Sequence, residues 1–563
     1  MNKIPTATYR LQFNKEFTFA DACEIIDYLN KLNISHLYLS PIFSSSPGSN
    51  HGYDVTDFTS ISEERGGETG FKKLADTVSA YNYPIKLILD IVPNHMAATT
   101  DNPYWLDVLR NGHNSEYWPL FDLRVDENQK IKLPVLSSDT KLSEFKLTDD
   151  GIEFGDRIYP LNAISAKKLQ QNPSTDIPSL LDMQYYCLVP WQDISSSMSY
   201  RRFFDVTGLI GVRVESDDIY QKSHKALFEL IEKYPCIEGV RVDHIDGLAD
   251  PKIYLDRLSK SVSTVWIEKI LSRPEEISKP WKTTGTTGYE FIDRINQLFV
   301  HPDNLRKIQD HWIEKTQSKW KDFETCVFES KQQVLDELFA PELNRIIELS
   351  TDNEDLKYKA SLFWNALTIS LDIYRFYNEQ DLDNSEWLDS ALKIARESFG
   401  KDFRDAEKIF LPQLLSPKSD AHKKALQEWQ QLSGPVMAKG LEDTAHYRFT
   451  PLTALNEVGC IPLIEEPTKE EHFKWIQKRA DIFPFALNST STHDTKRSED
   501  TRQRLYALAD NPDLWIDFTA RADLLGNIQL SLTNIGLYLM ITTTIIYFLF
   551  TLTTNYNLTT PNS

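Results

Sequence analysis

Short apolar runs alternate with helical patterns over the first part of the chain. TATYRLQF (6–13) and SHLYLSPIF (35–43) read as strands, and FADACEIIDYLNKL (19–32) reads as the helix between them. FKKLADTVSAYN (71–82) is a second helix, followed by KLILDIV (86–92), a strand apolar enough to be buried on both faces. Strands alternating with helices of this length predict parallel βαβ units. The rhythm breaks from about 96 to 205, where Asn, Asp, Ser, Pro and aromatic residues dominate and a large insertion after a strand is expected. It returns with GVRVE (211–215), GVRVDHID (239–246) and TVWIEKIL (264–271). Residues 290–480 read as mainly helical, as in NLRKIQDHWIEKT and HKKALQEWQQL, and NSTSTHDTK (488–496) reads as the end of one more strand.

The last forty residues differ in kind. Asp523 is the final charged residue, and Ile535–Leu552 is an uncharged run of Ile, Leu, Tyr, Phe and Thr. Its length would just span a bilayer as a helix. Thr and β-branched Ile make it a poor helix former, however, and no basic residue flanks it, so no membrane anchor is expected. The abrupt change in composition fits a coding sequence that has left its frame.

Composition narrows the class. The 563 residues are 41% hydrophobic and 25% charged, ordinary values for a globular chain with a sizeable core. A formal net charge of −21 argues against a nucleic-acid partner, which would need clustered Lys and Arg. The five cysteines (Cys23, Cys187, Cys236, Cys326, Cys460) form no close pair, so neither a disulfide framework nor a zinc pattern is expected. The N-terminal MNKIPTATYRLQF lacks the apolar stretch of a signal peptide, and a cytoplasmic location is the simplest expectation.

Candidate chemistry lies at the ends of the predicted strands. Asp90, Asn94 and His95 fall in LILDIVPNH, Arg241, Asp243 and His244 in GVRVDHID, Glu268 in the apolar run VWIEKIL, and His493 and Asp494 in STHDTK. Singly, each has a bland reading: Asp90 as a strand cap, His95 as a core histidine, Asp243 as a buried partner of Arg241. Together they place four polar constellations at the C-terminal ends of parallel strands, where a (β/α)₈ barrel carries its active site. The order D-x-x-x-N-H, R-x-D-H, E, H-D suits a retaining glycosidase, which uses one carboxylate as nucleophile and another as proton donor. The donor must keep its proton near neutral pH, and the apolar neighbours Val265, Trp266, Ile267 and Ile270 would help Glu268 do so.

These four segments resemble, in order, the motifs of the α-amylase superfamily. Longer segments resemble the maltooligosyl trehalose synthases within it: PTATYRLQFNKEFTFADA (5–22), YLSPIFSSSPGSNHGYDVTD (38–57), YRRFFDVTGLIGVRVE (200–215), VRVDHIDGLADP (240–251), TTGTTGYEF (283–291), LNEVG (455–459) and STHDTKRSEDTRQRL (491–505). The resemblance covers about residues 5–515. It implies an α/β fold, a (β/α)₈ barrel with a large insertion after strand 3 and a mainly helical insertion before strand 7. On that reading 1–95, 206–290 and 481–523 are parts of the barrel, 96–205 is an inserted subdomain, 291–480 a helical insertion and 524–563 an atypical tail. Strand 8 and a C-terminal β domain have no recognisable counterpart. The resemblance makes Asp243 the nucleophile, Glu268 the acid/base and Asp494 the third carboxylate. Arg241 would orient Asp243, while Tyr53, Asp54, Asn94, His95, His244 and His493 would bind sugar and Asp90 would support them. The implied reaction turns the reducing-end α-1,4 linkage of a malto-oligosaccharide into an α,α-1,1 linkage, with no organic cofactor and no metal. Alternatives are another α-glucan hydrolase, a non-catalytic binding subunit, or a truncated, inactive form of the mutase.

Overall fold

Six short strands form one parallel sheet: β1 (Thr8–Leu11), β2 (His36–Leu39), β3 (Lys86–Ile91), β4 (Ile237–Val242), β5 (Thr264–Ile267) and β6 (Gly285–Thr286), hydrogen-bonded in that order. The computed structural model describes residues 5–525 except 82–83, 126–128, 197, 278–280, 378–384 and 466–467. The apolar run 535–552 and the tail beyond it lie outside the described residues. Helices α1 (Phe19–Lys31), α2 (Gly67–Ser79), α3 (Asp217–Lys233) and α4 (Pro251–Leu258) make the crossovers between the first five strands. Sequential parallel strands with a helix after each are the construction of a (β/α)₈ barrel.

The central strands are buried on both faces. Leu37, Leu39, Leu87 and Leu89 pack with Phe19, Ile26, Phe71 and Leu74 of α1 and α2. The opposite face carries Tyr38, Ile88 and Trp266, which form a cluster of their own. Pairing register then decides which polar groups meet: Arg10 sits across from Tyr38, and Arg241 sits across from Asp90 on one side and Trp266 on the other. Alternation puts these residues on the inner face with the Tyr38 cluster. Gly239, two residues before Arg241, makes room for the indole. A Cβ there would come within 2.8 Å of the Trp266 ring and 2.3 Å of the Thr264 hydroxyl.

Two predicted strands are corrected. GVRVE (211–215) is not a barrel strand: the ladder runs over Val206–Gly211, antiparallel to His95–Ala97 and Arg202–Phe203 in a separate sheet. The alternation in GVRVE reflects Val212 and Val214, both buried in the core beyond that ladder. NSTSTHDTK (488–496) forms no strand either. The chain approaches β6 through one backbone bond, Leu487 N–H to Thr286 C=O at 3.1 Å, with the Trp266 indole donating to Phe485 C=O at 2.8 Å. Of its side chains, Ser489 Oγ donates to Thr287 C=O, while Thr495 Oγ1 bonds locally to Thr492 C=O at 2.8 Å.

The chain divides into two units. The first comprises Met1–Glu290, Lys331–Gly440 and Phe473–Ser489, and the second comprises Phe291–Ser330, Leu441–His472 and the chain from Thr490 on. Besides the sheet, the first contains α5 (Ala340–Ser350), α6 (Glu354–Ser370), α7 (Ser385–Leu415) and α8 (Asp420–Met437). Trp364 and Trp429, ring centroids 5.5 Å apart, knit this helical layer, and each indole N–H finds a hydroxyl, Ser350 at 2.8 Å and Thr368 at 3.0 Å. The short strand Arg202–Phe203 is tied to it by Arg202, whose guanidinium donates to both Glu342 oxygens at 3.1 and 3.0 Å. The second unit has its own core of Val300, Leu305, Ile308, Leu452, Leu455, Leu505 and Tyr506. All five cysteines are free, and no described helix is long and apolar enough to cross a membrane.

His224 on α3 is buried, with Nδ1 donating to Tyr220 C=O at 3.0 Å and Nε2 2.8 Å from the Tyr254 hydroxyl on α4. Burial pushes its pKa down to about 4. Below pH 6.5 the unfolded chain takes up a proton that the folded chain refuses, so stability falls with acid. Urea titrations should show His224 costing about 2 kcal/mol between pH 7 and pH 5, and His224→Gln should flatten the pH dependence by that amount.

Candidate active site

Arg241 is the centre of the candidate site. It lies on β4 with no exposure, and its Nη1 donates to Asp90 Oδ1 and to Asp243 Oδ1, both at 2.8 Å. Its Nη2 is 3.0 Å from Glu268 Oε1. Three neighbouring strands, β3, β4 and β5, thus deliver three carboxylates to one guanidinium. Burial works against the cation, but Asp90 and Glu268 overcome it and hold the Arg241 proton more tightly than usual.

Each carboxylate has further anchors. Asp90 Oδ2 accepts from the Tyr38 hydroxyl at 2.9 Å and the Tyr53 hydroxyl at 2.6 Å. Arg10 Nη2 donates to the Tyr53 oxygen at 3.2 Å, and Arg241 lies 5.9 Å from the centre of the Tyr53 ring. Glu268 Oε2 accepts the His244 backbone N–H at 2.8 Å. His244 itself adopts an uncommon φ of +45°, which turns the chain sharply just after this N–H. Asp243 N–H is in turn fixed by Ile91 C=O at 2.9 Å.

His95 and His244 border the carboxylates and share an aromatic wall. Phe203 lies 4.2 Å from the His95 ring and 5.1 Å from the His244 ring, and Phe204 is 5.0 Å from His244. Burial lowers the pKa of His95 to about 3 and of His244 to about 4. Both are neutral at pH 7 and suited to hydrogen-bond neutral hydroxyls. Asn94 is held from behind: Arg201 donates to its Oδ1 at 2.9 Å and to Asp122 at 2.9 Å, and Arg201 keeps Asp122 ionised down to about pH 2 despite burial.

The remaining candidates have partners of their own. Asp54 accepts from Ser49 Oγ at 2.5 Å and does not join the Arg241 cluster. His493 and Asp494 belong to the second unit, where His493 Nε2 is 3.2 Å from Asp494 Oδ2. The loop that follows them is fixed by buried Glu457, whose oxygens accept the backbone N–H groups of Lys496 at 2.5 Å and Arg497 at 3.1 Å.

Residues 21–250 match the family model for the α-amylase catalytic domain. A Mycobacterium tuberculosis protein carrying the maltooligosyl trehalose synthase name is 33% identical over 531 residues, 92% of this chain and 66% of its own length. The solved maltooligosyltrehalose synthase from Arthrobacter ramosus is 31% identical with a TM-score of 0.85, over 94% of this chain and 68% of that one. The chain belongs to the maltooligosyl trehalose synthase family. It spans about two thirds of the length of these relatives, 66% and 68% respectively.

Several site residues escape a reading of motifs. Tyr38 and Arg10 sit inside segments typical of the family, yet only the strand register shows that they converge on Asp90. Phe203, Phe204 and Arg201 are in YRRFFDVTG, where a doublet of cations beside a doublet of aromatics was the available signal. Glu457 was visible only as the acid in LNEVG.

Removing Arg241 would strand three carboxylates in the interior. Arg241→Met should cost about 3–5 kcal/mol, measured by urea unfolding, because breaking a buried ion pair leaves uncompensated charge. Adding Asp90→Asn to that variant should recover part of the loss.

Proposed function

We propose that this chain carries the intramolecular transglucosylation that converts the reducing-end α-1,4 linkage of a malto-oligosaccharide to an α,α-1,1 linkage. The observation that supports it most is the sharing of Arg241 by Asp243 and Glu268 at the ends of adjacent parallel strands, in a chain of this family. In this reading Glu268 protonates the terminal glycosidic oxygen while Asp243 attacks the anomeric carbon. An ester to Asp243 forms and glucose is released but retained. The glucose turns, Glu268 removes the proton from its anomeric hydroxyl, and that oxygen displaces the ester with overall retention. Asp494 holds sugar hydroxyls and favours the distorted ring, while His95, His244, His493, Asn94 and Asp54 bind hydroxyls. Tyr53 stacks on the sugar, and Asp90 supports Tyr53 and Arg241.

Mutase and hydrolase differ in what attacks the ester, so water must be kept out and glucose kept in. The helical layer suits that task. Gln431 on α8 donates to Gly247 C=O at 2.8 Å, and Arg375, just past α6, donates to Leu248 C=O at 2.5 Å, bringing this layer onto the loop behind Asp243. The substrate is a neutral glucan, consistent with a chain of net charge −21, and a cytoplasmic location fits its free thiols.

Incubation of the purified chain with maltopentaose should lower reducing ends while the sugar content stays constant. Net release of reducing sugar would overturn the mutase in favour of a hydrolase. Glu268→Gln should slow the reaction roughly 10²–10⁴-fold, as loss of general acid–base catalysis does. Asp243→Asn should remove about 10⁴-fold or more of kcat.

A further inference from the structure

Directly behind the carboxylates lies a second buried polar cluster that the reaction above does not use. Lys269, adjacent to Glu268, is 3% exposed, and its ammonium lies 3.1 Å from Asp246 Oδ2 and 3.2 Å from Glu275 Oε1. Tyr377, past the end of α6, donates its hydroxyl to Asp246, and its ring lies 5.2 Å from the Lys269 ammonium. Arg375 lies 5.0 Å from the same ring and donates to the carbonyls of Asp246 at 2.6 Å, Leu248 at 2.5 Å and Ala249 at 3.1 Å. Two cations and two carboxylates make the cluster neutral within itself, so its cost of burial is offset locally.

What the cluster grips is the turn Ile245–Gly247, which follows Asp243 and His244. This turn has little room to shift. A Cβ on Gly247 would fall 2.2 Å from the His244 ring and 2.7 Å from Asn94 Oδ1. His244, which caps this turn, donates its backbone N–H to Glu268, and the next N–H, of Ile245, points at the Glu268 C=O at 3.4 Å. Lys269 therefore joins the residue after Glu268 to the turn after Asp243, and Tyr377 and Arg375 join both to the helical layer.

We propose that Asp246, Lys269 and Tyr377 are positioning residues that fix Glu268 relative to the nucleophile Asp243, so that the helical layer sets the aim of the proton donor. This rests on the assignment of Glu268 as acid/base under the proposed function. A displacement on the order of 1 Å at such a group costs about a hundredfold in rate. The effect should fall on steps that need proton donation and spare those that do not.

That difference supplies the test. Maltopentaose needs protonation of its leaving oxygen, whereas α-maltosyl fluoride loses fluoride without a proton donor. Tyr377→Phe and Asp246→Asn remove one hydroxyl or one charge at nearly constant volume. Each should lower kcat on maltopentaose about 10- to 100-fold with KM changed less than about threefold. Single-turnover fluoride release with enzyme in excess should stay within about twofold of the parent chain. Equal losses on both substrates, or no loss on either, would overturn the proposal; a drop in urea midpoint with equal losses would mark a purely structural role. If the parent chain cleaves maltopentaose but forms no α,α-1,1 linkage, the mutase reading fails while the comparison still decides the positioning role. A parent chain inert toward both substrates overturns both.

Discussion

A guanidinium with no exposure, shared by three carboxylates, is the constraint around which this sheet is arranged. Taking each ion out of water costs several kcal/mol, and only close geometry with every oxygen satisfied repays it. Arg241 supplies contacts at 2.8 to 3.0 Å to Asp90, Asp243 and Glu268, and the hydroxyls of Tyr38 and Tyr53 take the remaining oxygen of Asp90. Remove the register that sets β4 between β3 and β5 and the cation loses its partners. With Glu268 carrying the proton it donates under the proposed function, Asp90 and Asp243 still set two carboxylates against one guanidinium. For a glycosyl transfer through a cation-like transition state, such an excess of negative charge is the useful sign.

The same device recurs at three loops beside candidate residues. Arg201 bridges Asp122 to Asn94, Arg375 collects three successive carbonyls behind Asp246, and Glu457 receives two backbone N–H groups after Asp494. A loop cannot satisfy its own polar groups as a helix or strand does. A single buried ion with several contacts does it instead, and fixes side-chain direction as a by-product. The two units use this device separately, one for Asn94 and Asp243, the other for Asp494.

How much of this was legible follows the range of the interactions. The helix 19–32 and the strand 86–92 are written in local periodicity, and the observed α1 and β3 match them closely because their burial pattern is the pattern of the sequence. GVRVE has the same alternation and is no barrel strand, since alternation records burial of Val212 and Val214 without naming the partner. Arg241, Asp243 and Glu268 could be listed from motifs. That Tyr38 and Arg10 complete the setting of Asp90 could not, because this depends on pairings between residues far apart in the chain. His244 carried no signal of its left-handed backbone, nor of the bond from its N–H to Glu268, which joins residues 24 apart in the chain.

Gly239 and Trp266 illustrate a wider consequence of the inner face of this sheet. The Thr264 hydroxyl, the Thr264 C=O and the indole edge together occupy the volume that a Cβ at position 239 would take, and the indole N–H reaches Phe485 C=O. Shrinking residue 266 alone would not admit a larger residue at 239, because the Thr264 C=O would still lie 2.5 Å from its Cβ, and it would give up the indole's hold on the segment that arrives beside β6. A neighbouring backbone, which no side-chain substitution removes, thus holds position 239 to glycine and limits how the interior of the barrel can be redesigned.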